Sequence, residues 1–265
     1  MKIFIDTAII EEIEEVIDII DGVTTNPSLV KKALTGKKIK LDEYIDKMLK
    51  VAGKRPFSLE VKDGDADDMY KQGKRLWKRF SKKTNNVYIK IPINPSYGGV
   101  DNDFEGLKVI KKLSDEGIPV NVTLIFTPEQ ALLAAKAGAK FVSPFAGRID
   151  DKIRKDNGVT FDKKDYFPSY GWNDNGHMLE DNGVISGVNL VEQCADILID
   201  YDTEVLAASI RSKRMARECA MVGADIATCP YSIIKQMTQH PKSVEGMEKF
   251  TADTPKEYEK ILRGK

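Results

Sequence analysis

The first sign of chemistry in this sequence is a lysine within an apolar run. Lys90 lies at the centre of VYIKIPI, residues 87–93, a β-branched stretch typical of a buried strand. Burial of an amine disfavours its charged form, and an uncharged amine is a nucleophile that forms a Schiff base with a carbonyl substrate. The alternatives are a lysine that reaches solvent from the strand end, or one that pairs with a structural carboxylate. The strand pattern alone does not decide between them.

Other ionisable and polar residues lie on neighbouring predicted strands. Asp6 ends the first strand, and Glu60 lies within the third. Asn121 and Thr123 are two residues apart on the fifth strand, so their side chains face the same side. Charged groups that converge in one interior are costly unless they are paired. Three such groups, counting Lys90, therefore predict an active site rather than a structural ion pair.

Imine chemistry gives each of these groups a role. Lys90 would attack a ketone, and water would then leave the carbinolamine with a proton from Glu60, given directly or through a water held by Thr123. Cleavage of a carbon–carbon bond requires a base for a substrate hydroxyl, and Asp6 is the remaining carboxylate. Because the protonated imine accepts the electron pair, we expect no metal and no organic cofactor.

Two arginines follow later strands. Arg148 comes after the sixth strand, and Arg211 ends the seventh, close to Ser209. A guanidinium matches the oxygens of a phosphate, and barrels often bind phosphate around their last strands. One arginine beyond a strand is usually a surface residue, but two with a neighbouring serine favour a phosphate site.

These residues require a scaffold that brings strand ends together. Eight short apolar runs alternate with amphipathic helical patterns, which favours a single-domain α/β (β/α)8 TIM barrel over residues 1–265. The predicted strands are Lys2–Asp6, Gly22–Thr24, Phe57–Val61, Val87–Ile91, Pro119–Leu124, Phe141–Ser143, Val205–Ala208 and Ile226–Ala227. A doubly wound sheet would instead need a glycine-rich loop after the first strand, where the chain has Asp6, Thr7 and Ala8.

The predicted helices are Ile9–Ile20, Leu41–Gly53, Ala66–Phe80, Phe104–Glu116, Pro128–Ala137, Leu190–Asp200, Ser212–Val222 and Tyr231–Gln239. Two polar segments interrupt the pattern: a turn-rich loop at 94–103 and a loop insertion at about 150–187. A segment as long as the second is either functional, such as a lid, or disordered. Residues 244–262 predict one extra C-terminal helix.

Composition narrows the classes of partner. Lys+Arg and Asp+Glu both total 41, so the net charge is zero, which disfavours nucleic acid and anionic membranes as partners. Two histidines and three cysteines without a CxxC pair disfavour zinc sites, histidine triads and a disulfide framework. With neither a secretory signal pattern nor a membrane-length apolar run, we expect a cytoplasmic protein.

Several separate motifs occur in order along the chain: MKIFIDTA (1–8), DGVTTNPSL (21–29), YIKIP (88–92), NVTL (121–124), SPFAGRID (143–150), AASIR (207–211) and ADIATCP (224–230). Together they resemble the motifs of the transaldolase family, in particular those of its short microbial members. The resemblance implies transfer of a dihydroxyacetone unit from a ketose phosphate to an aldose phosphate in the non-oxidative pentose phosphate pathway. It also implies a homo-oligomer, because the C-terminal helix resembles the segment through which small members assemble.

The resemblance also implies residue roles. Lys90 is matched to the Schiff-base lysine, Asp6 to the acid/base, and Glu60 with Thr123 to the holders of a catalytic water. The residues matched to the binding of substrate hydroxyls are Asn26, Asn121 and Ser143. Those matched to the sugar phosphate are Arg148, Ser209 and Arg211. In the related fructose-6-phosphate aldolases, which release free dihydroxyacetone, a glutamine resembles the position of Glu60, and a tyrosine that of Phe145, a further substrate-site residue.

The glutamate and the phenylalanine of this chain favour transfer over the aldolase reaction. A non-catalytic sugar-phosphate-binding barrel is the third hypothesis. The chain departs from the short members in its insertion at 150–187, in its extended loop at 94–103, and in Ser212–Met215, where a His-Pro helix start is common.

Overall fold

Eight parallel strands close into a barrel. The computed structural model describes residues 1–62, 64–84 and 86–264. Its strands are β1 (Lys2–Asp6), β2 (Gly22–Thr24), β3 (Phe57–Glu60), β4 (Val87–Pro92), β5 (Val120–Ile125), β6 (Phe141–Pro144), β7 (Trp172–Asp174), β8 (His177–Leu179), β9 (Glu204–Ala207) and β10 (Ile226–Cys229). The barrel order is β1-β10-β9-β6-β5-β4-β3-β2, and β7 and β8 form a separate antiparallel hairpin. The expected α/β barrel is confirmed.

Helices surround the barrel. They are α1 (Ile10–Val16), α2 (Pro27–Leu34), α3 (Leu41–Ala52), α4 (Ala66–Thr84), α5 (Glu105–Asp115), α6 (Pro128–Lys136), α7 (Ala146–Asp156), α8 (Gly187–Ile197), α9 (Lys213–Met221), α10 (Tyr231–Met237), α11 (Pro241–Ala252) and α12 (Lys256–Leu262). Within the described ranges, none of them is both long and apolar enough to cross a membrane.

The barrel lumen is apolar in one layer and polar in the next. Phe4 meets Phe141 edge-on with ring centroids 5.9 Å apart, and Tyr88 stacks on Phe141 at 4.5 Å. Asp6 and Lys90 lie two residues after Phe4 and Tyr88 on the same strands, so they face the same lumen one layer further on. The aromatic layer fills the N-terminal half of the lumen, and polar groups are left at the C-terminal end.

Two helices lie where the sequence patterns did not predict them. Helix α2 begins directly after Asn26, with Pro27 as its first residue. Helix α7 occupies the start of the segment expected to be an insertion from residue 150. Its inner face carries Ala146, Ile149 and Ile153 at helical spacing but also buries Asp150 and Arg154, charged residues that were expected to lie in a polar segment. The irregular part of the expected 150–187 insertion is therefore 157–186, which contains the β7–β8 hairpin.

The C-terminal segment is two helices rather than the one predicted over 244–262. A break separates α11 from α12 at residues 253–255. Pro255 explains it, because a proline disfavours helical backbone at the preceding residue. Neither helix has a buried residue, and Met247, Phe250 and Ile261 are largely exposed.

A buried carboxyl group joins α7 to the start of α8. Asp150 accepts a hydrogen bond of 2.7 Å from the backbone N–H of Gly187. Burial raises the pKa of Asp150 from 3.8 to about 7, against the opposing effects of that hydrogen bond and of the Arg154 charge. Because the folded-state pKa is raised, protonation of Asp150 stabilises the fold. This contribution is complete below about pH 4 and is lost as the pH rises through about 7.

We therefore expect Asp150→Asn to make unfolding less sensitive to pH, since the amide oxygen still accepts from Gly187 and carries no charge. The free energy of unfolding of the variant, relative to wild type, should rise by about 2 kcal/mol between pH 5 and pH 8. Urea unfolding at several pH values measures this difference. Asp156→Asn on the exposed face of the same helix is the control, and an equal trend in both variants would contradict the prediction.

Candidate active site

Lys90 and Glu60 form a buried pair inside the barrel. They lie opposite each other in the β3–β4 register, and Lys90 Nζ is 3.3 Å from Glu60 Oε2. Only 7% of Lys90 is exposed, so the alternative of a lysine that reaches solvent is wrong. The pair lies at the C-terminal end of the lumen, where barrel enzymes build their active sites.

Unsatisfied polar atoms lie beside this pair. Among the described residues, the hydroxyl of Thr123 and Oε2 of Glu60 are buried without a hydrogen-bond partner. Lys90 Nζ approaches Glu60 Oε2 to ion-pair distance, but without hydrogen-bond geometry. Thr123 lies one layer above Asn121, which is level with Lys90 in the β4–β5 register. Buried polar groups are normally satisfied, and exceptions often mark functional positions.

Asp6 faces the same lumen from β1 and is connected to a chain of hydroxyl groups. Thr24 donates a 2.8 Å hydrogen bond to Asp6 Oδ1, and its oxygen is 2.6 Å from the hydroxyl of Thr228. A hydroxyl has one hydrogen, so Thr228 must be the donor to Thr24. Burial raises the pKa of Asp6, and the Thr24 hydrogen bond and the Lys90 charge oppose the rise.

A second buried network lies beside the lysine. Ser143 donates to Asn121 Oδ1 at 2.7 Å, and Asn121 Nδ2 donates to Ser58 at 3.1 Å. Asn121 and Ser143 were predicted from the sequence, whereas Ser58, Thr24 and Thr228 were not. For Ser58 a signal was available, because it precedes Glu60 by two residues and so faces the lumen.

The remaining predicted residues surround the mouth of the barrel. Asn26 caps α2, since its Oδ1 accepts from the backbone N–H of Leu29 at 3.0 Å. The ring centroid of Phe145 is 6.0 Å from Lys90 Nζ and 5.0 Å from Arg148 Cζ, so this ring is close to both the lysine and that arginine.

Arg211 lies on the same side of the barrel as Arg148 and is held more firmly. Its Nη2 is 2.8 Å from Asp151 Oδ2, whereas Arg148 is exposed. Ser209, two residues before Arg211, has a φ of +59°, a conformation that costs a non-glycine residue energy and is common at functional sites. The structure thus places Arg211 beside a strained strand end, with Arg148 after the neighbouring strand β6.

A cavity of about 420 Å³ opens beside Glu60, with Lys62, Asn94 and Tyr97 among its lining residues. Residues 94–97, the first part of the loop 94–103, line one side of this cavity. An isolated bridge between Tyr97 and Val100 closes a tight turn in the same loop. The two central glycines of this turn have φ of 61° and 82°. A loop predicted from turn residues alone therefore stands next to the candidate site.

Comparison with known proteins identifies the family. Residues 3–263 match the model of the Transaldolase/Fructose-6-phosphate aldolase family. The chain belongs to this family. Among its relatives, a probable transaldolase of Desulfatibacillum aliphaticivorans is 41% identical over 97% of this chain and 99% of its own length. The probable transaldolase of Aquifex aeolicus is 38% identical over 98% of this chain and 99% of its own length.

A fold likeness extends beyond the transaldolase family. A solved lactate oxidase of Pediococcus acidilactici superposes with a TM-score of 0.50 at 14% identity, and the match covers 86% of this chain. This chain spans 62% of the oxidase. At such low identity the likeness concerns the fold alone.

The hydroxyl chain behind Asp6 gives a testable prediction. Thr24→Val removes the hydrogen bond that stabilises the Asp6 carboxylate, so the pKa of Asp6 should rise further above its ordinary value. Carboxyl ¹³C NMR of aspartate-labelled protein measures this pKa. Thr228→Val is the matched control, because it leaves the bond from Thr24 to Asp6 in place and should have the smaller effect. A lower pKa in Thr24→Val would be incompatible with this account.

Proposed function

We propose that the chain is a transaldolase. It moves a dihydroxyacetone unit from a ketose phosphate, such as fructose 6-phosphate or sedoheptulose 7-phosphate, to an aldose phosphate in the non-oxidative pentose phosphate pathway. The observation that carries the proposal is the buried Lys90–Glu60 pair at 3.3 Å. Family membership and the relatives named probable transaldolase support it.

In the first half-reaction, Lys90 Nζ attacks the ketone carbon of the donor sugar. Its attack requires the neutral amine, and Glu60 is close enough to exchange a proton with it. The carbinolamine oxygen then takes a proton and leaves as water, which forms the imine. We assign Glu60 as the proton donor, and Thr123 with Glu60 as the holders of the water that passes the proton, because both have buried polar atoms without a partner in the described structure.

Asp6 is assigned the second proton transfer. As a base it takes the proton of the substrate hydroxyl on the carbon that becomes the aldehyde. The neighbouring carbon–carbon bond then breaks, and its electron pair moves into the protonated imine to give an enamine on Lys90. The aldose phosphate leaves, and an acceptor aldehyde reverses these steps. A raised pKa makes Asp6 a stronger base than an ordinary carboxylate, which suits this role.

The substrate-binding residues follow the geometry of the lumen. We assign Asn121 and Ser143, which share a 2.7 Å hydrogen bond beside the lysine, to substrate hydroxyls. Asn26 at the mouth is assigned the same role in addition to its capping of α2. Phe145 would pack against the sugar chain between the lysine and Arg148.

The phosphate group is assigned to Arg148, Ser209 and Arg211. Arg148 follows β6 and Arg211 follows β9, and their guanidinium groups offer several N–H donors in planar geometry, which suits phosphate oxygens. Because the chemistry needs only these side chains, the proposal includes no metal and no organic cofactor.

The choice between transfer and release rests on two residues. The positions of Glu60 and Phe145 resemble those that hold a glutamine and a tyrosine in the related aldolases, so we favour transfer. A non-catalytic sugar-phosphate-binding barrel is disfavoured, because a lysine buried beside a carboxylate is a costly arrangement for binding alone.

We also propose that the chain forms one domain and acts as a homo-oligomer in the cytoplasm. The exposed apolar side chains Met247, Phe250 and Ile261 on α11 and α12 support self-association. A solution mass equal to one copy, measured by light scattering, would contradict the oligomer.

Transfer and aldol cleavage differ in their need for an acceptor. With fructose 6-phosphate alone, we expect little free dihydroxyacetone, since the enamine on Lys90 is not released until it reacts with an acceptor aldehyde. Added erythrose 4-phosphate should start turnover and give sedoheptulose 7-phosphate. Coupled assays with and without the acceptor measure this. Rapid accumulation of dihydroxyacetone without an acceptor would identify an aldolase, and no reaction in either assay would leave only the binding hypothesis.

A further inference from the structure

The segment 157–186, which joins α7 to α8 and is called here the insertion segment, contacts the arginine assigned to the phosphate. Arg211 Nη1 donates to the backbone carbonyl of Lys163 at 3.3 Å. On its other branch, Arg211 Nη2 donates to Asp151 Oδ2 at 2.8 Å. One contact comes from the insertion segment and the other from α7, so the guanidinium is held from two elements at once.

A third constraint comes from a glycine at the start of α7. A Cβ atom at Gly147 would lie 2.7 Å from both Cγ and Nε of Arg211, and 2.4 Å from the carbonyl oxygen of Ser209. The aliphatic part of the Arg211 side chain therefore packs directly against the backbone of α7 at Gly147, which has no side chain. The guanidinium has five N–H donors, and the carboxylate and the carbonyl use two of them. Three donors remain for a ligand.

The insertion segment is itself anchored. The ring of Tyr166 lies 3.6 Å from Arg214 Cζ, and its hydroxyl donates to Glu218 at 3.0 Å, both on α9. Phe167 is buried, and Ser186 donates to the carbonyl of Ser169 at 2.7 Å. These contacts attach the insertion segment to α9 and tie its C-terminal end to its middle.

We infer that the insertion segment and Asp151 position Arg211 for the phosphate end of the substrate, with Asp151 as a positioning residue. An arginine free in solvent loses rotamer freedom when it closes on a phosphate, whereas a side chain already held in place loses less. The arrangement therefore selects phosphorylated ketoses and aldoses over their unphosphorylated forms. The inference rests on the proposed function for the assignment of phosphate to Arg211.

Two pairs of variants test this role. Asp151→Asn weakens the hold on Arg211, and Asp156→Asn removes an exposed carboxylate from the same helix as its control. Tyr166→Ala releases the insertion segment from α9, and Tyr170→Ala changes an exposed tyrosine of the same segment. Calorimetry with inorganic phosphate gives the dissociation constant, and kinetics with fructose 6-phosphate and with fructose give kcat and KM separately.

We expect Asp151→Asn and Tyr166→Ala to weaken phosphate binding and to raise KM for fructose 6-phosphate, each by about tenfold, with kcat within about twofold of wild type. Values for fructose and for both control variants should stay at the wild-type level. Equal losses with fructose and fructose 6-phosphate would overturn the inference, because they would indicate a general structural role. Tighter phosphate binding by Asp151→Asn would also overturn it, because the carboxylate would then only repel the ligand.

The calorimetric arm separates this inference from the proposed function. If wild type binds phosphate and the variants weaken it as expected, but fructose 6-phosphate is not turned over, the positioning role stands and the transaldolase proposal fails. If wild type turns over fructose 6-phosphate but phosphate binding does not depend on Asp151 or Tyr166, the positioning role is wrong and the proposed function stands. If wild type binds no phosphate, the positioning role is wrong.

Discussion

The burial of a lysine beside a glutamate is the constraint on which the rest of this molecule depends. Moving an ammonium and a carboxylate out of water costs several kcal/mol for each ion, and their attraction repays that cost only with good geometry and further polar contacts. Lys90 Nζ and Glu60 Oε2 are 3.3 Å apart, and no hydrogen bond forms between them. A purely structural pair would be expected to close that bond. The pair is better explained as a site held ready for proton exchange with a substrate.

The barrel makes the buried pair possible because different strands supply the apolar packing, the hydrogen-bond network and the second carboxylate around it. Below the pair, Phe4, Tyr88 and Phe141 pack the lumen and keep water out from the N-terminal side. At the level of the pair, Asn121 links β5 to its neighbours through hydrogen bonds. Asp6 approaches from β1 with its own hydroxyl chain. The two arginines follow the ends of β6 and β9, and the ring of Phe145 is close to both Lys90 and Arg148.

Much of this site could be predicted from the sequence, because the two-residue period of a strand determines which side chains share a face. Lys90, Glu60 and Asn121 were expected on one lumen, and they lie side by side in the barrel register. Thr24 and Thr228 were missed, because a threonine in a short buried strand is unremarkable until its partner is known. Their contact joins residues 204 positions apart, and a single sequence does not indicate it.

There are physical reasons why helix α7 and the structure of the insertion segment were not predicted. Helix α7 buries only three apolar side chains larger than glycine, and it also buries Asp150 and Arg154, so the sequence suggested a polar loop there. The insertion segment was expected to be either a lid or disordered. It is anchored by Tyr166, which contacts α9, and by the buried Phe167. Both are aromatic residues in a polar stretch, and only the packed structure reveals what they contact.

The central claim is that Lys90 carries the substrate as an imine. Reduction with borohydride in the presence of fructose 6-phosphate, followed by peptide mass mapping, tests it most directly. The account predicts one covalent adduct, with the mass of a reduced dihydroxyacetone unit or of the whole ketose phosphate, on the peptide that contains Lys90. An adduct on another lysine, or no adduct in an enzyme that still turns over, would contradict it.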